Sequence, residues 1–137
     1  MQSNLLAAWI GMLLGFLSGL VPGLCFHREN WLGGYGSFKR RLYRLAHISL
    51  FGLGAVNLFF YLTARTLAPG SALAMASSVF IVGAITMPVC CVIMAHFPNT
   101  RWLFALPVLS LVTGGILTLV AICASGTVAN HQLSIFN

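Results

Sequence analysis

The chain has 137 residues, of which seven are Lys or Arg and only one, Glu29, is acidic. Charged residues make up 6% of the sequence, against about a quarter in a typical soluble domain, and apolar residues make up 59%. This composition excludes a soluble globular fold, a disordered chain and a nucleic-acid-binding module, despite the net charge of +6.

Four uncharged apolar stretches follow one another along the chain. A helix needs about 20 apolar residues, at about 1.5 Å each, to cross the hydrocarbon core of a bilayer. The first stretch is expected to be a retained helix and not a signal peptide, because no basic residue precedes it and no small-residue cleavage pattern follows it. The pattern predicts an all-α, integral membrane four-helix bundle that forms one domain over residues 1–137, with helices near residues 5–25, 44–65, 73–95 and 102–125.

The first predicted helix carries a row of glycines at every fourth position, namely Gly11, Gly15, Gly19 and Gly23. Residues four apart lie on one face of a helix, and in lipid the close approach of backbones across small residues drives helix association. The row therefore predicts a packing surface. Its partner is either another helix of this chain or a second subunit.

The basic residues predict the orientation of the helices. One, Arg65, lies between the second and third helices, and the other six flank the opposite ends, namely Arg28, Lys39, Arg40, Arg41, Arg44 and Arg101. The positive-inside bias then places the 26–43 and 96–101 loops in the cytoplasm and both termini on the non-cytoplasmic side. We expect a multi-pass protein of a bacterial-type inner membrane, with the 26–43 loop lying on anionic lipid headgroups or receiving the acidic loop of a partner.

The second predicted helix presents most of the polar chemistry on one face. His47, Leu50, Gly54, Asn57 and Tyr61 follow at alternating spacings of three and four residues. Ionisable and amide groups are costly inside a bilayer, so they usually face the interior of a bundle. Asn57 would lie near mid-membrane, where it needs a hydrogen-bond partner.

Three of the four histidines are predicted at one level, near the cytoplasmic leaflet. His47 and His96 could be the axial ligands of a b-type haem, with His27 as the substitute. Gly54 would leave space for the haem macrocycle, and Arg44 and Arg101 would balance the negative charge of its propionates. Alternatively, His47 and His96 could hold a soft metal with the nearby thiols and thioether, or all three histidines could be interfacial and packing residues. The thiols and thioether at this level belong to Cys25, Cys90, Cys91 and Met94.

A single carboxylate excludes catalysis by paired carboxylates. The sequence therefore predicts a small non-catalytic subunit of a larger membrane complex, of the respiratory or electron-transfer type, which helps to bind a b-type haem or a lipid at the cytoplasmic leaflet. Its expected partners are membrane lipids with anionic headgroups and other membrane subunits. The alternative is an oligomeric transporter or channel for a small solute or ion, in which polar residues line a path.

Overall fold

The computed structural model describes residues 2–25 and 27–135, with side chains described through residue 125. Within this part of the chain the regular structure is helical, and the four predicted helices are confirmed: α1 (Gln2–Cys25), α2 (Phe38–Ala64), α3 (Ser71–His96) and α4 (Ala105–Ile135). Short 3-10 helices at Trp31–Gly33 and Pro98–Phe104 occupy two of the connections. All four long helices are apolar enough to cross a membrane, so the chain has the form of a multi-pass membrane protein.

Two helix boundaries differ most from the prediction: α4 continues ten residues past residue 125, and α2 begins six residues before residue 44. Ser37 caps it: the Ser37 hydroxyl accepts a hydrogen bond from the Arg40 backbone N–H at 3.2 Å and donates one to the Leu32 carbonyl at 2.6 Å. The angle φ is positive at Leu32 (54°) and at the two glycines after it (85° and 93°), so the chain turns sharply here. The prediction began the helix at the edge of the uncharged stretch, whereas the helix extends back through the basic residues before that stretch to its N-cap, Ser37.

Each helix packs against its neighbour in sequence, and α1 also touches α3. The described parts of α1 and α4 do not pack extensively on each other, so the helices form an open array with α1 and α4 at its edges. Only 11% of the most apolar stretch of α1, and the same share of α4, is buried within the chain, against 28% for α2 and 33% for α3. Most of the surface of both edge helices is therefore available to lipid or to another protein.

We call the end of the array that holds the 27–37 segment and the start of α2 the basic end, and the opposite end the distal end. An apolar core near the distal end joins α2, α3 and α4. The Phe60 and Phe80 rings lie 5.1 Å apart in this core. Gly114 of α4 gives Phe80 its space, because a Cβ there would lie 3.0 Å from the ring. The core residues are Phe60, Ala64, Leu73, Ala76 and Phe80, flanked by Leu111, Leu117 and Ala121 of α4.

Three glycines of the row on α1, Gly11, Gly15 and Gly19, pack within the chain against α2, whereas Gly23 is exposed and has no neighbour within contact distance. A Cβ on Gly11 would lie 3.1 Å from the Leu50 carbonyl oxygen, and one on Gly54 would lie 3.0 Å from the Ala8 carbonyl oxygen. The two backbones therefore meet at reciprocal glycines, as small residues permit in membrane helices. Of the two partners left open by the sequence, this one is another helix of the same chain.

Candidate functional site

One face of α2 forms the floor of a groove between α1 and α3. Its residues alternate at spacings of three and four, so they share the face over more than four turns. Polar side chains stand at its two ends and an apolar stretch lies between them. From the basic end to the distal end the face carries Arg40, Tyr43, His47, Leu50, Gly54 and Asn57.

The distal end of this face is closed by a buried polar triad. The Asn4 amide donates to the Asn57 side-chain oxygen at 2.9 Å and to the Ser77 carbonyl at 3.2 Å, and it accepts a hydrogen bond from the Ser77 hydroxyl. Asn57 also donates to the Leu53 carbonyl at 2.9 Å. Asn4 and Asn57 are fully buried. The partner that the sequence requires for Asn57 is thus supplied by α1 and α3, and the triad ties three helices together.

The middle of the groove is apolar and open between α1 and α3. Its volume is about 440 Å³, within the range of small-molecule binding pockets. Leu50 and Gly54 of α2 form its floor, and its walls come from one side of α1 and one side of α3. The wall residues are Ser3, Leu6, Ala7, Ile10, Gly11 and Leu14 of α1, and Ile81, Ala84, Ile85, Pro88 and Val89 of α3.

A smaller cleft of about 250 Å³ continues the groove towards the basic end. Leu50 and Pro88 line both spaces, so the two are adjoining parts of one feature. The middle section has one hydroxyl side chain, that of Ser3, whereas the cleft has two hydroxyl groups and an imidazole among its lining residues. They are Ser18, Tyr43 and His47, and the remaining lining residues include Val21, Pro22, Trp31, Ala46 and Val92. The surface of both parts is mainly apolar, and the imidazole and the phenol of the groove lie at its basic end.

His47 is held at the α1–α2 contact by Ser18. The Ser18 hydroxyl donates its only proton to the Gly15 carbonyl at 3.0 Å, and it lies 2.9 Å from Nδ1 of His47. With both hydrogen bonds formed, Nδ1 of the imidazole must be the donor to Ser18, and Nε2 of the neutral ring is then an acceptor. Nε2 bonds to no other described residue. Gly19 makes room for the ring, because a Cβ there would lie 2.8 Å from its Cε1 atom.

His96 pairs with Tyr43 and not with His47. The Tyr43 hydroxyl lies 2.9 Å from Nε2 of His96, which is the exposed last residue of α3. The two rings are perpendicular, with their centroids 6.1 Å apart. Since Tyr43 and His47 are one turn apart on α2, the structure brings both histidines to the same end of the groove through different partners.

A cap of stacked aromatic and cationic groups covers the basic end. Arg40 is a buried residue with 4% of its surface exposed, and its guanidinium lies 5.6 Å from the centroid of the Trp31 ring and 5.1 Å from that of Tyr35. The Arg44 guanidinium lies 4.7 Å from the centroid of the same Tyr35 ring. Such cation–π contacts are worth about 0.5–2 kcal/mol each. They hold Arg40 beside Trp31, which lines the cleft, and Arg44 on the other neighbour of Arg40, the Tyr35 ring.

Two of the other predicted haem residues lie apart from this arrangement. His27 is exposed in the turn after α1, and Arg101 is exposed in the 3-10 helix before α4. Gly54 lies in the floor of the groove, where Ala8 and Met12 of α1 are next to it. Among the described residues no group of three or more His, Cys, Asp or Glu side chains is placed to hold a metal ion.

Sequence reasoning missed four residues that the structure places in this site: Asn4, Ser18, Tyr43 and Ser77. A spacing signal was available for one of them, since Tyr43 precedes His47 by four residues on the polar face of α2. Asn4 lies one residue before the predicted start of the first helix, and Ser18 and Ser77 are ordinary small residues of membrane helices. Their partners are 29 to 73 residues away in sequence.

Comparisons with protein-family models, curated proteins and solved structures found no match to this chain.

Proposed function

We propose that this chain is a small non-catalytic integral membrane subunit of a larger membrane complex, of the respiratory or electron-transfer type, that holds a lipid or a b-type haem at the cytoplasmic leaflet. The observation that carries the proposal is the open helix array. The buried triad ties α1, α2 and α3 together, whereas the edge helices α1 and α4 keep broad apolar faces outside the fold. Such edges suit packing against the helices of other subunits.

The orientation across the membrane is part of the proposal and rests on the positive-inside bias. The basic end would face the cytoplasm, and the N-terminus, the 65–70 turn and the C-terminus would lie on the other side. The polar end of the groove would then stand at the cytoplasmic leaflet, where the Arg40 and Arg44 cap meets the lipid headgroups.

A lipid is the first candidate ligand because the groove is apolar along most of its length. A b-type haem is the second candidate, favoured by the acceptor nitrogen that the Ser18 contact leaves on His47. Donation of the second ring N–H to a neighbouring group is the usual arrangement of a ligating histidine. An oligomeric transporter is less favoured, since the polar side chains at the distal end satisfy one another and line no path.

The test is to purify the tagged chain from its native membranes in mild detergent and to measure its native size, subunit stoichiometry and absorption spectrum. We expect a heteromeric complex with fixed stoichiometry. Leu17→Trp on α1 and Leu109→Trp on α4 alter the outer faces of the edge helices and should weaken the complex, because both side chains are mostly exposed. Leu62→Trp, exposed on the central helix α2, is the matched control.

A monomer or homo-oligomer that moves a solute into liposomes would contradict the subunit proposal and favour transport. A Soret band that His47→Ala removes and His27→Ala retains would select haem over lipid as the ligand.

A further inference from the structure

We infer that the groove between α1 and α3 binds one anionic phospholipid, with an acyl chain along its apolar middle and the phosphate at the basic end. This inference rests on the proposed function, because it names the ligand that such a subunit would hold. Three independent features of the groove define the occupant: the distal end is closed, the walls are apolar, and the open end is cationic.

The closed end sets the direction in which an amphiphile can lie. One turn beyond the last groove residues of α2 and α3 stand Asn57 and Ser77, hydrogen-bonded to Asn4 of α1. Their polar atoms already have partners within the triad, so they offer nothing to a headgroup. The polar part of a ligand must therefore lie at the basic end.

The middle of the groove selects an apolar chain. Of its lining residues Ser3 alone has a polar side chain. Gly11 and Gly54 are in close contact and have no side chains to fill the space between the two walls. The large side chains of the walls are exposed in the isolated chain: Ile85 is 60% exposed and Ile10 is 48% exposed. An acyl chain covers these side chains and is compatible with the open, elongated shape between two helices.

The basic end selects a negative charge. The guanidinium groups of Arg40 and Arg44 both contact the Tyr35 ring, and that of Arg40 also contacts the Trp31 ring, which lines the cleft. The two cations, and the exposed Glu29 as the one acidic residue of the sequence, lie just outside the lining of the cleft. An anionic headgroup is attracted by these two positive charges, whereas a neutral quinone or a net-neutral lipid gains less from them.

Native mass spectrometry of the delipidated, purified chain titrated with phosphatidylglycerol tests the inference. We expect a single 1:1 adduct, formed in preference to phosphatidylcholine. Ala84→Phe, which projects a ring from the wall of α3 into the groove, should abolish the adduct. Val82→Phe adds the same ring on an exposed side of α3 outside the groove and should leave the adduct intact.

The headgroup is tested by a pair of charge-matched variants, which also decides the question if Ala84→Phe fails to fold. Arg44→Gln should weaken binding by about fivefold, the factor that corresponds to about 1 kcal/mol for one basic residue near an anionic lipid. Arg41→Gln removes the same charge from an exposed position with no ring contact to the cap and should leave the affinity unchanged.

Equal adducts in the two phenylalanine variants, equal loss in the two glutamine variants, or tighter binding of phosphatidylcholine, ubiquinone or haemin than of phosphatidylglycerol would each overturn the inference. The native size measured above separates this inference from the proposed function. A lipid-binding chain that runs alone contradicts only the subunit role, and an assembled chain that binds no phospholipid contradicts only the lipid site.

Discussion

Replacement of Asn4 by Ala should destabilise the fold more than any other change in the buried triad. Asn4 makes three interhelical hydrogen bonds: two that it donates, to Asn57 and to the Ser77 carbonyl, and one that it accepts from the Ser77 hydroxyl. Interhelical hydrogen bonds in membrane proteins average about 0.6 kcal/mol and reach about 1.7. Loss of all three gives about 2 kcal/mol as the central expectation and about 5 as the upper bound.

Asn57→Ala should cost less, although Asn57 is equally buried. Its strongest interhelical hydrogen bond is the one it accepts from Asn4, and its 2.9 Å bond to Leu53 lies within its own helix. Its contact with the Phe80 carbonyl is long, at 3.4 Å. After Asn57→Ala the Asn4 amide still bonds to the Ser77 carbonyl, so about 1 kcal/mol is expected from hydrogen bonding.

The assay is equilibrium unfolding by sodium dodecyl sulfate in lipid–detergent mixed micelles, followed by tryptophan fluorescence. Gln2→Ala is the matched control, because it removes an amide from the same turn of α1 at an exposed position. The double variant Asn4→Ala/Ser77→Ala should cost less than the sum of the single changes, since the two side chains share hydrogen bonds. An Asn4→Ala variant as stable as Gln2→Ala would refute the role of the triad in holding the three helices together.

Three further predictions concern the contact between α1 and α2, the N-cap of α2 and the orientation in the membrane. Gly54→Ala should lower the free energy of unfolding by about 1–3 kcal/mol, because the new Cβ meets a backbone oxygen of α1. Gly52→Ala is the control: its Cβ meets nothing, so this variant should be neutral or slightly stabilising. Equal unfolding curves for the two variants would contradict this prediction. Ser37→Ala should cost about 1 kcal/mol and speed hydrogen exchange in the first turn of α2, and unchanged exchange would exclude the cap. Reporters at the N-terminus and in the 65–70 turn should appear on one side of the membrane and a reporter in the 27–37 segment on the other; any other distribution contradicts the proposed orientation.

The positions of the four helices could be predicted because the bilayer leaves little choice. An apolar stretch of about 20 residues must satisfy its backbone hydrogen bonds internally, and an α-helix does this within one segment. The start of α2 was misplaced for a related reason: apolarity defines what can lie in lipid, while a helix also extends through polar residues to its cap at Ser37. The face that carries His47 and Asn57 could also be predicted, because it depends on spacing alone.

The spacing of residues shows which of them share a face of a helix, but not which helix packs against that face. The partners of the candidate site residues could therefore not be predicted. His47 and His96 share an end of the array as expected, yet they bond to Ser18 and Tyr43. The partners of Asn57 likewise come from positions that carry no sequence signal.

The sequence by itself determined four membrane-length helices, the polar face of α2 and the concentration of basic residues at one end. Only the tertiary structure decided that α1 fits against α2 through reciprocal glycines, that Asn4 and Ser77 close the distal end, and that an apolar groove stays open between α1 and α3. The physical reason is the sequence separation of the residues that interact. Helix formation and hydropathy depend on residues a few positions apart, whereas the contacts that shape the groove join residues as far as 73 positions apart.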